Sequence, residues 1–327
     1  MQTIFSLDAF LAEKSGERHA VTIGNFDGVH AGHRELIRIT REKAAARKVR
    51  SLLITFDPHP AHIVRGGATP QILTPLPRKL ALLAQTGIDT TLVLPFTKTM
   101  AATPAEEFVR TVLVNGVAAT DIVTGFNFAL GRGRTGNFSS LTSLGEQWDF
   151  TVTQVPPVVV NGETASSSGI REHLTAGDVD KATMFLKRAH SVDGTVIHGE
   201  ARGRKLGFPT ANIDFGETLL PALGGYATWL RVLCPEKPES GNVYMGMTSV
   251  GTNPTFGKNA LTLETHLLDY SGDLYKKQVR LYFITRLRGQ IRFSSPEELV
   301  QHLRLDAKNA RETLEKSELP TDFHKKD

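Results

Sequence analysis

Ile23-Gly24-Asn25-Phe26-Asp27-Gly28-Val29-His30-Ala31-Gly32-His33 is the stretch on which the fold of the first half of the chain turns. Ahead of it, Ala20-Val21-Thr22-Ile23 reads as a short apolar strand. Behind it, residues 34–48 read as a helix, with Leu36, Ile37 and Ile39 apolar and most other positions basic or alanine. A strand that enters a glycine-bearing turn and leaves as a helix brings backbone N–H groups and a helix N-terminus to one point, where an anion binds. Gly24, Gly28 and Gly32 let a ligand approach the backbone closely. His30 and His33 share one face of a first helical turn, from which both imidazoles can donate hydrogen bonds to phosphate oxygens. The chain holds no Gly-x-x-x-x-Gly-Lys-[Ser/Thr], so this turn is not a Walker loop.

Working outward, strands and helices continue to alternate. Residues 51–56 form a buried-type strand closed by Asp57-Pro58-His59-Pro60. Residues 77–86 read as a helix stopped at Gly87, and residues 91–94 as a strand. Thr103-Pro104-Ala105-Glu106 supplies the cap, first-turn proline and acidic residue of a helix ending at Asn115-Gly116. Residues 122–124 and 152–155 are two further strands. Repeated β-α-β of this kind predicts a doubly wound parallel sheet, with ligands at the carboxyl ends of its strands.

The pattern changes near Lys187-Arg188, and we set the domain boundary there, giving domains 1–186 and 187–327. Two short helices, over residues 169–175 and 179–186, precede it. Beyond it, residues 194–197, 226–233, 243–250, 261–268 and 279–287 read as strands without long helices between them. Short alternating strands at this density predict a small antiparallel β-barrel. A helix closes the chain: Ser295-Pro296-Glu297-Glu298 is a capping box, and Leu299, Leu303, Ala307, Ala310 and Leu314 make one apolar stripe.

The 327 residues suffice for two cored domains, and a net charge of +4 suits phosphate-bearing ligands. No basic run is interleaved with stacking aromatics, so nucleic acid is not expected as a partner. The basic His324-Lys325-Lys326 reads as a solvated tail. The single cysteine, Cys234, excludes an internal disulfide framework and fits a reducing cytosol. No apolar run reaches membrane-spanning length, and residues 1–18 lack the basic and apolar regions of a signal peptide, so a cytoplasmic protein is expected.

Four further stretches carry chemistry. Gly131, Gly133 and Gly136 complete a G-x-G-x-x-G after a strand, but the acidic partner of a dinucleotide fold, due about 20 residues on, is missing. Ala165-Ser166-Ser167-Ser168-Gly169-Ile170-Arg171 places hydroxyls and an arginine at a helix start, which reads as a second phosphate cradle or as a plain serine cap. The run from Gly194 to Asn212 contains Gly199, Gly203, Lys205 and Phe208-Pro209-Thr210-Ala211-Asn212; the Thr210 hydroxyl and Asn212 carbonyl are hard oxygen donors of the kind a cation takes. In Leu263-Glu264-Thr265-His266-Leu267, strand alternation puts Glu264 and His266 on one face, and a carboxylate inside a small barrel is costly unless it has a task.

Taken together and in order, these stretches resemble the bacterial bifunctional riboflavin kinase/FMN adenylyltransferase family, also called FAD synthetase, across nearly the whole chain. The His30-x-Gly32-His33 run looks like the HxGH motif of adenylyl-transferring nucleotidyltransferases. The resemblance implies a nucleotidyltransferase domain followed by a riboflavin kinase barrel. Riboflavin and ATP would give FMN and ADP, and FMN and ATP would give FAD and pyrophosphate, each step with Mg²⁺. It implies catalytic roles for His30, His33, Arg171 and Glu264, the last as the base for the ribityl 5′-hydroxyl. ATP and phosphate contacts would fall to Gly24, Asn25, Phe26, Asp27, Gly28, Asn127, Ser167, Ser168, Gly203, Lys205 and Thr210. Flavin contacts would fall to Asn127, Phe128 and Phe208, and the metal to Thr210 and Asn212. The sequence departs from the family at Leu130, Thr164, Ser168 and Gly224-Gly225, and matches it again over Ser249-Val250-Gly251-Thr252-Asn253-Pro254-Thr255-Phe256. Two other readings stand beside this one. One is an adenylyltransferase whose barrel binds flavin without catalysis; the other is an NAD-dependent oxidoreductase built on the glycine-rich loop.

Overall fold

The structure, a computed structural model, describes residues 1–14, 16–64, 70–199, 202–234, 241–253 and 260–321. The chain divides into two compact units, Met1–Ser166 and Ser167–Asp327.

In the first unit, β1 (Gln2–Ile4), β2 (His19–Ile23), β3 (Arg50–Asp57), β4 (Thr90–Pro95), β5 (Ala119–Gly125) and β6 (Thr151–Val155) form one six-stranded sheet in the order β1-β4-β3-β2-β5-β6. All its pairings are parallel. The helices are α1 (Leu7–Lys14), α2 (Ala31–Arg47), α3 (Pro60–Val64), α4 (Leu76–Ala84), α5 (Lys98–Ala102), α6 (Ala105–Phe108) and α7 (Phe138–Trp148); α6 runs on into a π-helical turn, Val109–Val114. A two-residue hairpin, β7 (Val159–Val160) and β8 (Glu163–Thr164), follows the sheet. From β2 the chain winds outward through β3 and β4, then returns to lay β5 on the other flank of β2. The switch point of the sheet therefore lies between β2 and β5, where doubly wound sheets hold their ligands.

In the second unit, α8 (Ser167–Ala176) and α9 (Val179–Leu186) precede a closed barrel of β9 (His190–Ile197), β14 (Gln278–Gly289), β11 (Gly224–Val232), β12 (Val243–Asn253), β13 (Ala260–Leu267) and β10 (Ala211–Asp214). One turn of helix, α10 (Arg202–Lys205), enters β10, and α11 (Pro296–Leu314) closes the unit. The barrel interior takes Val192, Tyr226, Leu230, Val250, Leu263, Leu267, Leu281 and Phe283, all buried. Its polar content is a ladder in which the Thr248 hydroxyl lies 2.7 Å from that of Thr228 and 2.9 Å from that of Thr265. The opposite face of the barrel wall, with Ala227, Trp229, Met247 and Tyr282, packs against Ala310 and Leu314 of α11. Of the stripe expected on that helix, Ala310 and Leu314 are buried, Leu303 and Ala307 pack half-buried beside them, and Leu299 stands outside this cluster. The Ser295 hydroxyl caps the Glu298 N–H at 3.2 Å, while the Glu298 carboxylate turns to the Ser294 N–H.

The compact units divide at Ser166/Ser167 because α8 and α9 are fastened to the barrel. The Arg286 guanidinium on β14 donates to the Ala176 and Leu223 carbonyls at 3.2 and 2.8 Å, the Ala222 N–H donates to the Leu174 carbonyl at 2.9 Å, and the Thr285 hydroxyl donates to Asp180 at 3.1 Å. Val179, Phe185 and Leu186 are buried on α9, which packs on β9 and β14. A fragment beginning at Lys187 discards those side chains, each stabilising by about 1.5–3 kcal/mol when buried. Against a total stability of about 5–15 kcal/mol, that fragment is expected to melt at least 10 °C below one beginning at Ser167. Equal melting of the two fragments, followed by circular dichroism, would refute this.

Candidate active sites

The first site grows from the carboxyl end of β2. Helix α2 begins at Ala31 rather than Arg34, so His30 is its N-cap residue and His33 lies in its first turn. The two imidazoles stack with centroids 3.6 Å apart and planes inclined by 24°, and the Phe26 ring lies 5.0 Å from that of His33. A Cβ at Gly32 would press on the His30 ring at 3.2 Å. The loop is wound through left-handed conformations at Phe26 (φ 49°), Gly28 (φ 88°) and Val29 (φ 42°). A β-branched residue at positive φ is a true outlier, and such strain persists only where the surroundings impose it.

What imposes it is visible beneath the loop. Asp27, 2% exposed, accepts from the Leu73 N–H at 3.1 Å and the Thr74 N–H at 2.9 Å. Its carboxylate thus ties the loop to the segment that enters α4. The Asn25 carbonyl accepts from the Lys79 ammonium at 3.1 Å and the Thr55 hydroxyl at 3.2 Å. The Asn25 side chain itself is exposed.

The loop after β5, the neighbouring strand at the switch point, carries Asn127, which is exposed, and Phe128, whose ring packs on the core of this unit. The exposed ring of that loop is Phe126, which the sequence reading passed over. Two of the three glycines of the apparent dinucleotide fingerprint serve packing. A Cβ at Gly131 would come within 2.5 Å of the Ala105 backbone, and one at Gly136 within 2.6 Å of Leu130. The loop closes on itself through a Leu130–Gly136 bridge.

Ser167 and Ser168 lie on the first turn of α8 and Arg171 just after it, in the second unit; Ser168 is exposed and the other two are half-buried.

The second site opens on the outer face of the barrel, in a cavity of about 300 Å³. This corrects the expectation for Glu264: Leu263, Thr265 and Leu267 take the interior, so Glu264 and His266 face out into that cavity. The strand register sets Asn212 opposite Glu264. The Thr210 hydroxyl donates to the Glu264 carboxylate at 3.3 Å. His266 Nδ1 lies 2.8 Å from the Pro209 carbonyl, and its ring meets Phe208 edge-on at 5.2 Å, which seats the Phe208–Thr210 segment on the strand. Gly203 lines the same cavity. Lys205 ends α10, and residues 254–256 lie outside the described residues. The cavity also draws on Met247, Arg288 and Leu303, which sequence reasoning missed, because only the register and the return of α11 bring them there. Arg288 is held in place by Asp306 at 2.8 Å.

A Cβ at Gly199 would overlap the Asn212 amide. The end of the Asn212 side chain must move to admit it, so Gly199→Ala is expected to displace that amide from its place opposite Glu264 and to lower activity at this site; activity equal to the parent's would remove Asn212 from the site.

With this geometry in view, comparison with known proteins is decisive. The FAD synthetase family matches residues 12–169 and the riboflavin kinase family residues 186–314. The bifunctional riboflavin kinase/FMN adenylyltransferase of Escherichia coli (strain K12) is 33% identical over 302 residues, spanning 92% of this chain and 95% of that protein. The chain belongs to the bifunctional riboflavin kinase/FMN adenylyltransferase family. The Pseudomonas fluorescens member is 34% identical over 291 residues, 89% of this chain and 91% of its own. A crystal structure from Streptococcus pneumoniae, described as a macrolide-efflux protein, covers 95% of this chain and 99% of its own with a TM-score of 0.83 at 28% identity. Among the described residues no helix is long and apolar enough to cross a membrane.

Proposed function

We propose that the protein makes FMN and then FAD: riboflavin kinase activity in the barrel unit, FMN adenylyltransferase activity at the histidine loop. The observation that supports this reading is that each family-matched unit has its own polar cluster, stacked imidazoles at a helix start in one and the Thr210–Glu264 pair at a cavity in the other.

In the kinase step, the terminal ribityl oxygen of riboflavin bonds to the γ-phosphorus of ATP, its proton passes to Glu264, and the bond to ADP breaks. Gly203, Lys205 and Thr210 contact the nucleotide, and Phe208 contacts the flavin. Thr210 and Asn212 would hold the magnesium ion: their hydroxyl and amide oxygens are hard donors, and so few protein ligands suit an ion that also takes phosphate oxygens and water. When bound, that ion neutralises charge on the phosphates. In the adenylyl step, an FMN phosphate oxygen bonds to the α-phosphorus of ATP and pyrophosphate leaves, with no protein nucleophile. His30 and His33 donate to the transferring phosphate, the Gly24–Gly28 loop cradles ATP, and Asn127 and Phe128 contact the ligands.

The test is direct: purified protein with riboflavin, ATP and Mg²⁺, the flavins separated by chromatography and ADP and pyrophosphate quantified. FMN should appear first and FAD after it. FAD made only from supplied FMN would leave the barrel as a flavin-binding module without catalysis.

A further inference from the structure

We infer that Lys79, remote in sequence from every motif above, is a positioning residue for FMN adenylylation: its buried ammonium holds the strained Gly24–Val29 loop in the conformation that presents His30 and His33. The inference rests on the proposal that this loop is the adenylyl-transfer site.

Three observations converge on it. The first is the place of the side chain. Lys79 lies on α4 and is 6% exposed, a burial that lysine almost never reaches without a task or a partner. Its ammonium donates to the Asn25 carbonyl at 3.1 Å and to the Thr55 hydroxyl at 3.2 Å, and Thr55 donates in turn to the same Asn25 carbonyl at 3.2 Å. One backbone oxygen of the loop thus takes two donors, reached from α4 and from β3. The second is the strain of the loop. Phe26 and Val29 both hold positive φ; conformations of this kind cost about 1–3 kcal/mol each and revert unless over-determined. The third is the second tether, from Asp27 to the Leu73 and Thr74 N–H groups. Asn25 and Asp27 flank Phe26, so the tethers bracket the first strained residue, and the second, Val29, adjoins His30. Burial lowers the Lys79 pKa, and the Asp27 and Asp57 carboxylates offset part of that shift.

Lys79 acts on the loop through the Asn25 carbonyl. That sets a signature. A misplacement of about 1 Å costs about a hundredfold in rate, and a residue that acts through geometry lowers kcat more than it alters KM.

The experiment uses the full-length protein. Lys79→Met keeps the apolar stem and removes the ammonium. FAD formation from supplied FMN is expected to lose about a hundredfold in kcat, with KM for ATP and for FMN within threefold, while riboflavin phosphorylation in the same preparation stays within twofold. The kinase unit then reports that the chain is folded and at its stated concentration. A kcat unchanged per folded molecule, with or without a lower melting temperature, overturns the inference, as does a rise in KM for ATP at constant kcat, which would mean direct contact with the nucleotide. Should Lys79→Met lose both activities, Thr55→Val decides. It keeps the side-chain volume and removes both the second donor to the Asn25 carbonyl and an acceptor of the Lys79 ammonium; a fall of at least tenfold in kcat for FAD formation supports the inference and an unchanged kcat refutes it. If His33→Ala also leaves FAD formation intact, the assignment of the loop to adenylyl transfer has failed. If only the Lys79 and Thr55 variants are silent, that assignment stands and the inference alone is lost.

Discussion

Replacing Glu264 by glutamine is expected to lower riboflavin phosphorylation by about 10²–10⁴-fold, the usual loss when a general base is removed, and to leave FMN-to-FAD conversion near the parental rate. The substitution is nearly isosteric. The Thr210 hydroxyl can still donate to the amide oxygen at the position where Glu264 Oε2 accepts it at 3.3 Å, and the barrel interior, built from residues of the opposite parity, is untouched. What is lost is the ability to take a proton from the ribityl hydroxyl as its oxygen bonds to phosphorus. The paired measurement is FMN from riboflavin and FAD from supplied FMN on one preparation. Phosphorylation at close to the parental rate would assign Glu264 a structural task on its strand, as the partner of Thr210. Loss of both activities would mean that the chain has unfolded.

That a carboxylate on β13 could be singled out at all shows where the sequence is legible. Period-two alternation separated Glu264 and His266 from Leu263 and Leu267 correctly, because alternation is a property of one strand. Which of the two faces is the interior was not legible. It depends on the threonine ladder across β11, β12 and β13 and on α11 covering the outer wall, and both are contacts between distant segments. The same limit applies elsewhere. The parallel sheet was readable from repeated β-α-β, but β1, three residues long and paired only at the edge with β4, gives too short a pattern to register. Helices over 169–175 and 179–186 were read nearly as they stand, yet their attachment to the barrel comes through Arg286, far along the chain. At the histidine loop the motif was plain, while its supports were not. The resemblance assigns Asp27 to the nucleotide, but its tie to the Leu73 and Thr74 N–H groups joins distant segments and leaves no mark in the sequence. Lys79 reads as one basic residue on a helix until α4 is laid against β3.

His33→Ala should have the other large effect, on the other activity. Removing one preorganised donor to transition-state charge typically costs about 10²–10³-fold, so FAD formation from FMN should fall by that factor while riboflavin phosphorylation persists. The geometry explains why His33 is the residue to change. His30 is the N-cap of α2, and its ring abuts Gly32, so its loss alters the helix start itself. His33 sits one turn on, with its ring between those of His30 and Phe26 at 3.6 and 5.0 Å. Its removal leaves the backbone of α2 in place and takes away a donor together with the stack that orients its neighbour. The fall should therefore appear in kcat, and adding ATP should not restore it. The control is internal, since the kinase site shares the chain but not the residues. A variant that makes FAD at the parental rate would leave the stacked pair as packing at a helix start, and adenylyl transfer would have to be sought at another set of residues.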